Sequence, residues 1–161
     1  MLTRLVHRCY TGDIADPNKQ TKYTLQYYLD FADQLVECGI HILAIKDMAG
    51  LLKPQAATML VGALRKKYPD LPIHVHSHDT AGISVASMLA CAAAGADIVD
   101  VAIDSMSGMT SQPAMGAVCD ALEQTGMGSG IRHEAIQALN QYWMNCRLLY
   151  APFDANVKSS E

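Results

Sequence analysis

The chain has 161 residues, 50% of them hydrophobic and 17% charged, which fits about one globular domain and excludes a disordered charged polymer. Twelve lysines and arginines against sixteen acids leave a formal charge of −4, with no basic run interleaved with aromatics, so nucleic acid is not an expected partner. The most apolar stretch, residues 85–103, is broken by Ser87, Gly95, Asp97 and Asp100 and cannot supply the roughly twenty apolar residues of a spanning helix, so no membrane role is expected either.

Apolar periodicity then alternates between strand-length and helix-length runs four times. A weak first strand falls near "RLVHRCY", followed by the loop "TGDIADP" and a helix with Leu25, Tyr28, Leu29, Ala32 and Val36 on one face, stopped by Gly39. "HILAIKD" is the second strand. Its helix starts at Pro54, carries Ala57, Leu60, Val61 and Leu64, and ends before Pro69. "LPIHVHSH" is the third strand, and Thr80 is expected to cap a helix that buries Val85, Met88, Leu89 and Ala92 and stops at Gly95. "DIVDVAID" is the fourth strand. The loop "SMSGMTSQP" leads to a helix through Val118 and Leu122, with Ser111 and Pro113 marking a helix start, and after "TGMGSG" a last helix carries Ile136, Leu139, Trp143, Cys146 and Tyr150.

Repeated strand and helix units imply a parallel sheet, because parallel neighbours need a long crossover. No glycine-rich phosphate turn follows the first strand, which argues against an open dinucleotide-binding sheet. Polar residues at strand C-termini (Asp13, Lys46, Asp47, His76, His78 and Asp104) argue for a barrel. The expected class is therefore α/β, a partial TIM barrel of about four units over residues 1–125, with a helical extension over 131–152. A complete barrel has eight units in about 250 residues, so this is half of one.

The five cysteines are an odd number without a C-x-x-C pair and most sit on apolar helical faces, which reads as reduced intracellular core thiols. The opening "MLTRLVHRC" has the basic, acid-free composition of a mitochondrial presequence but runs at once into strand. The expected location is intracellular, in mitochondrial matrix or cytoplasm.

The stretch "HVHSHDT" carries the chemistry. On a strand, His74, His76 and His78 share a face, about 7 Å apart at successive Cα atoms, so adjacent pairs can hold one ion and the outer two, near 13 Å, cannot. His76 and His78 lie at the rim where barrel sites form, and His74 sits deeper in the wall. A polar stripe in a wet interior remains the alternative. Lys46 follows the apolar run "HILAI", where an ammonium needs a partner or a modification; an ion pair with Asp47 or Asp79 is its plain reading.

Five stretches, "CYTGDIADP", "HILAIKDMAGLLKP", "HVHSHDTAG", "GADIVDVAIDSMSGMTSQP" and "YWMNCRLLY", together resemble the carboxyltransferase domain of the pyruvate carboxylase family. The resemblance covers nearly the whole chain and implies a partial pyruvate carboxyltransferase domain over 1–161, strands five to eight of the barrel. It implies that Lys46, as a carbamate, His76 and His78 ligate a divalent metal, zinc or manganese, since a carbamate is a hard oxygen donor and an ammonium has no lone pair. Asp13, Asp47 and Asp79 are expected either to orient those ligands or to serve turns and caps.

The fourth family ligand, the pyruvate-binding residues and the proton-relay threonine have no counterpart in this chain, so its catalytic residues stay unknown. The family reaction is biotin-dependent: carboxybiotin gives up carbon dioxide, pyruvate loses a methyl proton, and the resulting enolate captures the carbon dioxide to form oxaloacetate. The implied partners are pyruvate, carboxybiotin, the remaining domains that bind ATP and biotin, and further copies in a homo-oligomer. The 161 residues alone are expected to be inactive. "QPAMG", with Ala114 where serine is usual, and "TRLVHRC" before "YTGD" depart from the family pattern, the second suggesting a displaced start. Oxaloacetate decarboxylase and transcarboxylase subunits are the nearest alternative, but "HDT" and "SQP" favour the carboxylase. A truncated noncatalytic interaction module is the alternative of another kind, because a half barrel leaves sheet edges unpaired.

Overall fold

Helix boundaries in this chain follow local chemistry. The computed structural model describes residues 4–18 and 22–154, with only the backbone described over 4–9, so the first three residues of the basic opening lie outside the described residues. Helix α1, Leu25–Glu37, is capped by Thr24, whose Oγ1 accepts a hydrogen bond from the Tyr27 N–H, and it stops at Gly39 with φ +76°. Helix α2, Pro54–Lys67, has proline in its first turn and Arg65, Lys66 and Lys67 in its last, where cations suit the helix dipole. Helix α3 is Ser84–Ala93, α4 is Met115–Glu123 and α5 is His133–Tyr150. None is long and apolar enough to cross a membrane.

Four strands, β1 Arg4–Cys9, β2 Ile42–Asp47, β3 Ile73–Ser77 and β4 Ile98–Val99, form one parallel sheet in the order β1-β2-β3-β4. Spatial order equals chain order, and α1 to α4 each touch the next, as successive crossovers along one side of a sheet must. The core lies between sheet and helices. Leu43, Ile45, Ile73 and Val75 from the strands meet Leu35, Leu60, Val61, Leu64, Met88 and Cys91 from the helices, each large aliphatic contributing about 1.5–3 kcal/mol by burial. Arg65 ties the layers together. Its guanidinium donates to the carbonyls of Pro69 (2.7 Å), Leu71 (3.1 Å) and Gly95 (2.8 Å) and pairs with Asp97, whose Oδ2 accepts from the Ile73 N–H at 2.7 Å.

The structure corrects four expectations. The fourth strand pairs only over Ile98–Val99, because the backbone beyond finds other partners: Ala102 exchanges hydrogen bonds with Pro113 (3.0 Å) and Met115 (2.8 Å). Thr80 does not cap α3, which begins four residues later; Thr80 Oγ1 donates to the Met109 carbonyl and Asp79 Oδ1 accepts from the Ser84 N–H at 2.9 Å. Of the expected face of α5 only Ile136 is buried, while Leu139, Trp143 and Tyr150 are exposed. Of the described cysteines only Cys91 is a core thiol; Cys38 is exposed and Cys119 and Cys146 are half-buried.

Candidate metal centre

In the β2–β3 ladder Ala44 stands beside His74, Lys46 beside His76 and Asp47 beside Ser77. Neighbours across a ladder share a face and successive residues alternate, so Lys46, His74 and His76 lie on the face away from the helices and Asp47 and Ser77 on the helix side. His78 follows at the rim. Its position depends on Gly50, which has φ +65° and where an added Cβ would stand 2.6 Å from the His78 carbonyl oxygen.

The rings of His76 and His78 meet edge to face with their Nε2 atoms 3.2 Å apart. Their other nitrogens show which tautomer each neutral ring takes. His78 Nδ1 is 2.6 Å from the Thr110 carbonyl oxygen, which only accepts, so Nδ1 carries the proton and donates. His76 Nδ1 is 2.7 Å from Asp100 Oδ2, and Asp100 Oδ1 is 2.7 Å from His74 Nε2. Burial pushes the Asp100 carboxyl up, but hydrogen bonds from His76 and His74 outweigh it and hold the group below the usual carboxylate range. An ionised Asp100 only accepts, so His76 also donates through Nδ1.

In the neutral rings both Nε2 atoms therefore present lone pairs to each other. Lone pairs at this distance repel unless a cation, a proton or a metal ion, lies between them. Two nitrogens bound at about 2.0–2.1 Å to one tetrahedral zinc stand about 3.3 Å apart, which the observed separation fits. Among the described residues no three His, Cys, Asp or Glu side chains converge as a metal group. Lys46 is the neighbour of His76 in the ladder, is half-buried, and pairs with neither Asp47 nor Asp79.

The three carboxylates expected near the ligands are elsewhere engaged. Asp47 is fully buried on the opposite face, where its oxygens accept from the Leu51 N–H (3.0 Å), the Leu52 N–H (2.9 Å) and Ser77 Oγ (2.8 Å). Asp13 pairs with Lys53 at 2.6 Å and accepts from the Ala15 N–H. Asp79 accepts from the Ser84 N–H, and its own N–H donates to the Ser111 carbonyl at 2.8 Å. Asp104 caps α4, accepting from the Gly116 N–H at 2.7 Å. The carboxylate that touches His76 is Asp100, which sequence reasoning missed. Its parity with Ile98 was readable in "DIVD", but the pairing of Ile98 with His74 that brings it beside His76 was not. The Thr110 carbonyl left no signal, since every residue has one.

The chain matches the HMGL-like family model over residues 14–142. It is 58% identical over 149 residues to the pyruvate carboxylase of Aspergillus terreus, 92% of this chain and 12% of that protein. It is 59% identical over 152 residues to the human mitochondrial pyruvate carboxylase, 93% of this chain and 13% of that protein. The solved carboxyl transferase domain from Rhizobium etli pyruvate carboxylase with pyruvate superposes with TM-score 0.91 at 45% identity, over 96% of this chain and 26% of that one. The chain thus spans about an eighth of the curated relatives it matches.

Proposed function

The chain belongs to the HMGL-like family, and from that footing we propose that it supplies the metal-holding part of a biotin-dependent carboxyltransferase site that converts pyruvate to oxaloacetate. One observation carries the chemistry: two histidine Nε2 atoms face each other at 3.2 Å, each ring held through its Nδ1, with a lysine that has no carboxylate partner among the described residues as the ladder neighbour of one of them. The likeness to pyruvate carboxylases and to a carboxyl transferase domain solved with pyruvate supports the choice of reaction.

In this reading His76, His78 and Lys46, the last carbamylated by carbon dioxide on its neutral amine, hold the ion, which is zinc or manganese. When bound, the ion polarises oxygen atoms of an α-keto acid. The residues of this chain orient it. Asp100 and the Thr110 carbonyl fix the two imidazoles, and the rim loop from 104 to 113 closes beside them. Asp13, Asp47 and Asp79 act at one remove, holding the loops that follow β1, β2 and β3.

The four strands are read as strands five to eight of a barrel, with the half barrel over 1–125 and the helical extension over 131–152. Biotin and ATP would be bound by other domains, the whole would be a homo-oligomer, and the compartment mitochondrial matrix or cytoplasm. The 161 residues alone would not turn over pyruvate.

The test compares the full-length protein with its His76→Ala/His78→Ala variant. The wild type should hold about one divalent ion and form oxaloacetate from pyruvate, bicarbonate and ATP only when biotinylated, and the double variant should lose both properties. Full metal content in the double variant would overturn the ligand assignment. A biotinylated wild type without pyruvate-dependent oxaloacetate formation would overturn the reaction.

A further inference from the structure

We infer that Asp100 is the positioning residue of the candidate metal centre: it fixes the tautomer and plane of His76 so that Nε2, and not Nδ1, faces His78. The inference rests on the metal reading above and adds a residue to it. Asp100 stands behind His76, on the ring nitrogen remote from His78, and is no ligand in this geometry, since Oδ2 takes His76 Nδ1 and Oδ1 takes His74 Nε2, both at 2.7 Å.

A lone imidazole rotates and exchanges its proton between two nitrogens, and each wrong state withdraws the lone pair from the ion. One hydrogen bond from Nδ1 to a fixed carboxylate oxygen removes both freedoms and leaves the lone pair on Nε2. The carboxylate must itself be fixed. His74, buried in the sheet, holds its second oxygen, and its backbone N–H donates to the Val75 carbonyl at 3.0 Å, where β4 leaves the ladder.

The three histidines of "HVHSH" thus divide their work. His76 and His78 face each other, and His74 holds the group that orients His76. The two facing rings are also fixed by different means. His78 leans on a backbone carbonyl that no side-chain substitution removes, whereas His76 depends on one side chain.

The experiment measures the affinity of the full-length protein for Zn²⁺ by chelator competition, and the visible spectrum with Co²⁺ in its place, for wild type, Asp100→Ala and Asp100→Asn. Asp100→Ala should weaken Zn²⁺ binding 10–100-fold and shift the Co²⁺ bands. Asp100→Asn should recover part of that loss, because its one carbonyl oxygen still accepts from His76 Nδ1; if the alanine variant fails to fold, the asparagine variant decides by its Co²⁺ spectrum. Unchanged affinity and spectrum in both variants would overturn the inference while leaving His76 and His78 as ligands. An asparagine variant as weak as the alanine one would also overturn it, since an oxygen accepting from His76 Nδ1 would then not be what sustains the site. A wild type that binds neither ion would bring down the metal reading itself, and this inference with it.

Discussion

Lys46 and Asp47 are neighbours in sequence and lie on opposite faces of one strand. Asp47 is fully buried and its carboxylate accepts three internal hydrogen bonds, two from the backbone of the turn that follows β2 and one from Ser77 on β3. Lys46 is half-buried with no carboxylate against it among the described residues, beside a pair of histidines whose Nε2 atoms confront each other. The first face is chemically closed. The second leaves the Lys46 ammonium without a carboxylate among the described residues, and the proposed metal centre is on that face.

The contrast breaks if the two residues respond alike to substitution. Lys46→Met should leave the melting temperature nearly unchanged and lower divalent-metal affinity by about 100-fold or more, since in the proposed centre it removes a ligand outright. A retained affinity would return Lys46 to the role of a wall residue. Asp47→Ala should do the reverse. It leaves the Leu51 and Leu52 N–H groups without their acceptor and Ser77 Oγ with only the His78 carbonyl, and should cost on the order of 2–4 kcal/mol, read as a lower melting temperature, with metal still bound by the folded fraction.

A smaller effect tests the link between the faces. At Gly50 a methyl group would press on the His78 carbonyl at 2.6 Å and force a residue with a Cβ to φ +65°, so Gly50→Ala should cost about 1–3 kcal/mol and also weaken metal binding through His78. Stability lost without any change in metal affinity would show that the loop moves independently of the histidine.

The smallest expected effect extends the contrast to the cysteines. Burial pushes the Cys91 thiol up to about 12, so at pH 8 iodoacetamide should label exposed Cys38 in the native protein and Cys91 only after denaturation, as peptide mass mapping would show. Because the folded value lies above the usual thiol value of about 9, the contribution of Cys91 to stability is constant below about pH 9. It falls as pH climbs from there toward 12, since the unfolded chain ionises first.

Much of this was legible in the residues. Alternation of runs gave the four strands and five helices, Pro54, Gly39 and Gly95 gave helix boundaries, and "HVHSH" gave the two facing histidines through the period of a strand. Thr80 misled because a threonine before an apolar run is a good cap only if the helix begins there, and Asp79 with its five-residue reach to Ser84 moved the start. The face of α5 misled because periodicity shows that a helix has an apolar side without showing what covers it; Leu148 and Leu149 are 68% and 71% exposed.

Local order was thus set by sequence alone: the period of each run, the punctuation by glycine and proline, the likeness carried by five motifs, and the parity that places His76 and His78 together. Which carboxylate serves the histidines was decided only by the tertiary structure. Asp13, Asp47 and Asp79 are nearer to strand ends in the chain's own pattern, yet Asp100 takes the place because the β3–β4 register sets it beside His76 while alternation turns Asp47 to the helices. Register depends on how two strands some twenty residues apart in the chain dock their faces, and no single segment contains that information.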